Sequence, residues 1–242
     1  MSYIDGFVIA APTADKAKFL DHARRMDSIF LEMGARRVVE GWGDDVPKGE
    51  VTDFYRAVQA KDDETVVFSW IEWPDKATRD AAMEKMRSDQ RMMAEPMPFD
   101  GKRMIFGGFE PILDEAAAGR AAGYMDGFVV PVPEGNRETY RAMSAKAAPL
   151  FKEYGATRHV EAWGSDVPEG QVTDFRRSVQ AGDGEEVVFS FIEWPDKATR
   201  DEGWKKMMAD ERMKPEDDMP FDAKRMFWGG FDSVVDLEKQ DA

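Results

Sequence analysis

Charged residues recur at matching places in the two halves of this 242-residue chain: Asp5 and Asp126, Glu40 and Glu161, Arg56 and Arg177, Glu72 and Glu193, Arg103 and Arg225. All fall on segments that read as strands. A charge on a strand covered on both faces is costly to bury unless it is paired. Two chemistries fit such a set. In one, Asp5 or Glu40 faces Arg56 or Arg103 in ion pairs that hold strand register. In the other, some of these groups line a pocket between sheet and helices, where a raised carboxyl pKa suits acid–base work. Trp42 and Trp163 adjoin the repeated glutamates and would either cap such a pocket or simply fill core. The candidate pocket is therefore Asp5, Glu40, Trp42, Arg56 and Arg103, with Asp126, Glu161, Trp163, Arg177 and Arg225 as the second set.

Other reactive groups are scarce. There is no cysteine, which excludes disulfides, thiolate nucleophiles and cysteine-held zinc or iron–sulfur sites. The two histidines match nothing in the opposite half, since His22 aligns with Met143 and His159 with Val38. They are therefore poor catalytic or metal candidates, and no transition-metal site is expected. Asp44-Asp45 matches no EF-hand spacing, although such an acidic pair could hold calcium weakly. Gly107-Gly108 has no helix after it, so a bulge or close strand contact explains it better than a phosphate loop. The repeated loop Asp45-Val46-Pro47 and Asp166-Val167-Pro168 reads as a rigid turn or a binding loop. No inorganic cofactor is expected.

The elements that position these groups follow from a duplication. Residues 71–80 read IEWPDKATRD and residues 192–201 repeat them letter for letter. Apolar runs at 3–10 and 124–131 read as buried strands. Spacings of three and four at Phe19, Leu20, Ala23, Met26, Ile29, Phe30 and Met33 predict an amphipathic helix over 13–33, ended by Gly34. Its partner keeps the stripe through Tyr140, Met143, Ala147, Leu150, Phe151 and Tyr154, ended by Gly155. Strands are expected at 35–42, 52–59, 65–73 and 102–109. Asp75 is a natural N-cap for a helix near 76–88. Residues 112–122 read as a short helical tail and linker, and the second half carries one extra residue before Met219.

Each half thus reads β-α-β-(β)-β-α-β, a ferredoxin-like α+β repeat with helices on one sheet face. Phe68 and Trp70 alternate with Val67, Ile71 and Trp73, so both sheet faces are apolar. The uncovered face needs a partner, and the other repeat supplies it, giving an intramolecular α+β barrel. Domain limits are expected at 1–116 and 123–242, with a linker at 117–122.

A net charge of −15 repels phosphate backbones and anionic lipid, so neither nucleic acid nor membrane is an expected partner. No stretch approaches the ~20 apolar residues of a membrane span, and no basic leader precedes an apolar run. A cytoplasmic location is the expectation.

The blocks Tyr-x-Asp-Gly-Phe-Val, Glu-x-Trp-Gly-x-Asp-Val-Pro, Thr-Asp-Phe, Val-Val-Phe-Ser-x-Ile-Glu-Trp-Pro, Met-Pro-Phe-Asp and Lys-Arg-Met-x-x-Gly-Gly-Phe occur in that order in both halves. Together they resemble the YbaA-like bacterial proteins, domain of unknown function 1428, over about 3–112 and 124–235. The resemblance implies a dimeric α+β barrel and no established activity. It also implies members of one domain that pair between chains, and a frequent cysteine between the Glu and Trp of the second strand. Gly41 and Ala162 stand there in this chain, so any thiol chemistry of relatives is absent.

The expected function is small-molecule binding within the barrel protein. The alternatives are a cofactor-independent monooxygenase or isomerase acting on a planar apolar substrate, and a structural or protein-interaction domain. Further oligomerisation of the intact chain is left open.

Overall fold

The computed structural model describes residues 2–117, 122–213 and 219–239. The first repeat runs β1 (Tyr3–Pro12), α1 (Lys16–Glu32), β2 (Arg37–Asp45), α2 (Phe54–Ala57), β3 (Glu64–Trp73), α3 (Lys76–Met86) and β4 (Ile105–Ala116). The second runs β5 (Tyr124–Pro133), α4 (Arg137–Glu153), β6 (Arg158–Asp166), α5 (Phe175–Ser178), β7 (Glu185–Trp194), α6 (Lys197–Ala209) and β8 (Phe227–Glu238). The strands close into one antiparallel barrel in the order β1-β3-β2-β8-β5-β7-β6-β4. Each repeat contributes a ferredoxin-like sheet, and the longer helices cover its outer face.

Strand alternation explains how both faces are filled. In β3, Val66, Phe68 and Trp70 point into the barrel, whereas Val67, Ile71 and Trp73 point out beneath the helices. Inside, the two repeats meet ring on ring: Phe68 stacks on Phe189 with centroids 4.5 Å apart, and Trp70 on Phe191 at 4.6 Å. Gly6 and Gly127 make room for this stack. A Cβ at Gly6 would come within 2.7 Å of the Phe189 ring, and one at Gly127 within 2.8 Å of Phe68.

The repeats also join edge to edge. β2 pairs with β8, and β4 pairs with β6. The seam explains a difference from the sequence reading. Residues 112–116 are strand rather than helical tail, because the second part of β4 leaves β1 and pairs with β6 up to Ala116↔Arg158. Ladder hydrogen bonds to β6 outweigh the helix preference of alanine and glutamate. β4 shifts register at Gly108/Phe109, so the paired glycines mark a bulge. Residues 118–121 of the expected linker, and the extra residue before Met219, lie outside the described residues.

The expected strand at 52–59 is likewise a single helical turn in both repeats. The Asp53 carboxylate accepts from the amide of Arg56 at 2.8 Å, and Asp174 does the same for Arg177 at 2.8 Å. Each turn drives a phenylalanine into one barrel mouth: Phe54 lies 4.7 Å from Phe227 and 5.1 Å from Phe231, and Phe175 lies 5.3 Å from Phe109. The two turns interlock, as Thr52 donates to the Ser178 carbonyl at 2.6 Å and Thr173 to the Ala57 carbonyl at 2.7 Å. The helix ends match expectation, with Gly34 at φ +114° and Gly155 at φ +108°.

Ion pairs around two buried arginines staple the seams. Arg37 meets Glu193 at 2.7 Å and Asp236 at 2.7 Å, while Arg158 meets Glu72 at 2.8 Å and Asp114 at 2.7 Å. Every one of these contacts crosses from one repeat to the other. Both guanidinium groups also face the Trp70 ring, at 4.9 and 5.8 Å.

Candidate functional site

The outer face of β5, β6 and β7 does not pack fully against α4 and α6. A cavity of about 430 Å³ remains, closed at one side by residues 219–226. Its walls are Phe128 and Val130 from β5, Ile192 from β7, Met143, Ala147 and Phe151 from α4, Trp204 from α6, and Met219, Phe221 and Met226. Polar groups converge at one place on this apolar lining. Glu161 accepts from the Tyr140 hydroxyl at 2.8 Å through Oε2, and Oε1 lies 2.8 Å from Nε2 of His159. Ser144 hydrogen-bonds Tyr140 in turn. Burial and the neighbouring Glu161 push the Tyr140 phenol well above its ordinary value, so it remains a neutral donor. Alternation in β6 explains why these groups meet: His159 and Glu161 are two residues apart and share the helix-covered face.

The matching region of the first repeat differs residue by residue. Phe19, Ala23, Val38 and Met83 stand where the second repeat has Tyr140, Ser144, His159 and Trp204. Glu40 accepts there from the Ser69 hydroxyl and is buried beside Asp27, which occupies the place of Ala148. Burial raises Glu40 to about 7 and, with Glu40 beside it, lifts Asp27 well above its ordinary value. Oδ2 of Asp27 has no hydrogen-bond partner.

Of the candidate residues read from sequence, Glu161 lines the cavity and the others do not. Asp5 is buried against Trp73 at 2.8 Å and Arg79 at 2.9 Å, and burial pushes its carboxyl up to about 6 against their pull. Asp126 accepts from Trp194 at 2.9 Å, Arg200 at 2.6 Å and Trp204 at 2.7 Å. Through Trp204 it orients one cavity wall. The arginine partners differ from the expected ones. Arg56 and Arg177 are exposed on α2 and α5, where they hold the Gly49 and Gly170 carbonyls at 2.8 Å each. Arg103 and Arg225 grip Glu64 and Glu185 through paired bonds of 2.6–2.7 Å. They also hold the carbonyls of Gln59 and Gln180, whose φ angles are +49° and +52°. Trp42 packs in the core 5.7 Å from Phe19, and Trp163 packs beside Tyr140.

Sequence reasoning passed over two pairs that carry much of this structure, Arg37 with Arg158 and Arg79 with Arg200. Arg79 also reaches Asp166 of the other repeat at 2.6 Å, and Arg200 reaches Asp45 at 2.8 Å. The repeated Asp-Val-Pro loop is therefore a clasp between repeats. Asp44, read as a weak calcium ligand, instead meets Lys197 at 2.7 Å. Among the described residues, no three His, Asp or Glu side chains gather as a metal-binding set, and no helix is long and apolar enough to cross a membrane.

The sequence profile described as "Protein of unknown function (DUF1428)" matches residues 2–101 and again 123–223. The chain belongs to the DUF1428 family. The "Uncharacterized protein YbaA" of Escherichia coli (strain K12) is 60% identical over 114 residues, covering 97% of that protein and 47% of this chain. Its length thus corresponds to one DUF1428 repeat. Solved structures share the fold at low identity. The "putative monooxygenase" from Fusobacterium nucleatum subsp. nucleatum superposes with a TM-score of 0.62 at 10% identity, covering 98% of this chain and 94% of that one. A second "putative monooxygenase", from Lactobacillus acidophilus NCFM, gives 0.61 at 12% identity, covering 98% and 96%. An "anthrone oxidase-like protein" gives 0.57 at 14% identity, covering 99% and 94%. In this two-repeat DUF1428 chain the expected cysteine position points into the barrel. A Cβ at Gly41 would meet Met125 at 2.6 Å, and Ala162 lies in the same inner core. A side chain there faces away from the helix-covered cavity.

Proposed function

We propose that the second DUF1428 repeat binds a small apolar molecule in the cavity between its sheet and helices, with the first repeat completing the barrel that carries it. The observation behind this reading is the union of about 430 Å³ of apolar space with one convergent polar cluster, Glu161, His159 and Tyr140. Ligand sites in proteins combine these two features, at volumes of roughly 300–1,000 Å³. The methionines of the lining supply a surface that adapts to ligand shape. The lack of cysteine fits a cytoplasmic setting.

The test is native mass spectrometry of gently purified intact chain, followed by thermal unfolding with whatever is released. A discrete extra mass lost on denaturation, whose return raises Tm in wild type but not in Glu161→Gln, is the expected result. A bare mass, together with no thermal shift across a panel of aromatic and aliphatic compounds, would count against the cavity as a ligand site.

One observation favours a second reading, an acid–base enzyme in the same cavity. A carboxylate hydrogen-bonded to one imidazole nitrogen is how many catalytic histidines are oriented. The names of the fold neighbours point to oxidation chemistry in those proteins, and a shared fold does not by itself transfer it. Turnover of the released compound by wild type, lost in Glu161→Gln with Tm unchanged, separates an enzyme from a binding protein.

A further inference from the structure

His159 is buried, and its Nδ1 has no hydrogen-bond partner. The other ring nitrogen is committed. Glu161 as a carboxylate only accepts, so Nε2 carries the hydrogen of that bond, and in the neutral ring Nδ1 is left as a lone pair. A buried acceptor without a donor costs free energy unless something supplies one. The ring lies in the cavity wall with the edge of Phe151 beside it, centroids 5.0 Å apart. The lining thus contains a buried ring nitrogen without a partner, with a carboxylate on the opposite ring nitrogen.

Resting on the reading of the cavity as a ligand site, we propose that its ligand is a planar apolar molecule bearing one acidic hydroxyl, a phenol or enol, whose proton passes to Nδ1 of His159. The O–H bond breaks and an N–H bond forms. The electron pair stays on the ligand oxygen as an oxyanion, and the imidazolium is stabilised by Glu161 across the Nε2–H bond. Tyr140 keeps its own proton and continues to donate to Oε2, which holds the carboxylate in place. Other head groups fit less well. A ligand carboxylate brings two acceptor oxygens that need several donors, and an ammonium brings three donors to one lone pair. Two cations stand in the lining: Arg212 is already engaged by Glu153, Asp210 and Tyr154, and Lys146 is not free either. Phe128, Phe151, Trp204 and Phe221 give the body of the ligand flat apolar surfaces.

The test compares 4-nitrophenol with 4-nitroanisole, which differs by a methyl group on the oxygen, on the intact chain. Binding is read by thermal shift and quenching of tryptophan fluorescence, and ionisation by phenolate absorbance at fixed pH. Wild type should bind the phenol about tenfold more tightly than the ether, with a higher phenolate fraction bound than free. His159→Val, which installs the residue that the first repeat carries at Val38, should remove that preference by weakening the phenol about tenfold more than the ether. His159→Gln keeps an amide for Glu161 and should bind the phenol without the extra phenolate. Equal binding of both probes to wild type, or an unchanged preference in His159→Val, overturns the proposal while the cavity reading stands. Failure of both probes to bind wild type overturns this proposal, and the cavity reading then stands or falls on the native mass and the wider compound panel.

Discussion

Asp27 and Glu40 place two carboxyl groups in one buried spot of the first repeat, with the Ser69 hydroxyl as a partner for Glu40 and none for Oδ2 of Asp27. Burial raises Glu40 from 4.5 to about 7 and Asp27 in the same direction, so the folded state holds protons that the unfolded chain has released. Stability from this pair is fully present below the unfolded values near 4 and is lost as pH rises through about 7. Asp27→Asn removes one ionisation without changing shape. It should stabilise the chain at pH 8 by ~1–3 kcal/mol relative to its effect at pH 4. Denaturant unfolding of both proteins at the two pH values measures this, and equal effects at both would show that the pair does not share a proton. Asp5 and Asp126 shift in the same direction, so the comparison of variant with wild type isolates the pair. At this scale the sequence located the repeated charges but mispaired them. Arg79 and Arg200 sit on helices, outside the strand pattern, whereas Arg37 and Arg158 stand at the first residues of β2 and β6. His159 was discounted because comparing two halves retains only what both share. A site built in one repeat alone is invisible to that comparison, although His159 and Glu161 lie two residues apart on one strand face.

The single turns α2 and α5 each depend on one carboxylate. Asp53 accepts from Arg56 at 2.8 Å and from Gly49 at 3.2 Å, so Asp53→Ala strips two amides of their partner. A lost N-cap costs ~1 kcal/mol and up to ~2, and here the turn also holds Phe54 in the barrel mouth. Urea unfolding should show the midpoint falling with the m-value unchanged. Asp174→Ala should behave alike. Because Thr52 bonds Ser178 and Thr173 bonds Ala57, the turns support each other, and the double variant should depart from additivity. Strict additivity would mean that the two turns act independently. Elements were legible where their periodicity had room to repeat: β3 declared both faces, and α1 its stripe. One helical turn is too short to display a 3.6-residue period, so residues 52–59 read as a strand. The error at 112–116 has another cause. Composition there favours helix, and the partner strand that overrides it lies more than forty residues away, at Arg158–Glu161.

The whole molecule is two half-barrels with apolar inner faces, and this sets what one half can do alone. In the second repeat Phe175, Phe189, Phe191, Phe227 and Phe231 are buried against the first. Exposing side chains of this size costs ~1.5–3 kcal/mol each. Five of them lose as much as the whole net stability of a typical domain, roughly 5–15 kcal/mol. The edges of β6 and β8 would also lose their ladders. A second copy of segment 123–242 can restore both. Arg158 meets Glu72 and Asp114 in the intact chain, and their counterparts in the second repeat are Glu193 and Asp236, which already bind Arg37. Each copy therefore carries both sides of the seam, the arginine and its two carboxylates. The isolated segment should form a dimer at micromolar concentration, seen as twice its chain mass by light scattering, and Arg158→Ala should weaken it by removing the cation that the buried Glu193 and the exposed Asp236 of the second copy would share. A folded monomer of 123–242 at that concentration would mean that the inner face needs no second repeat, and the fusion would then have to be explained by something other than closure of the barrel.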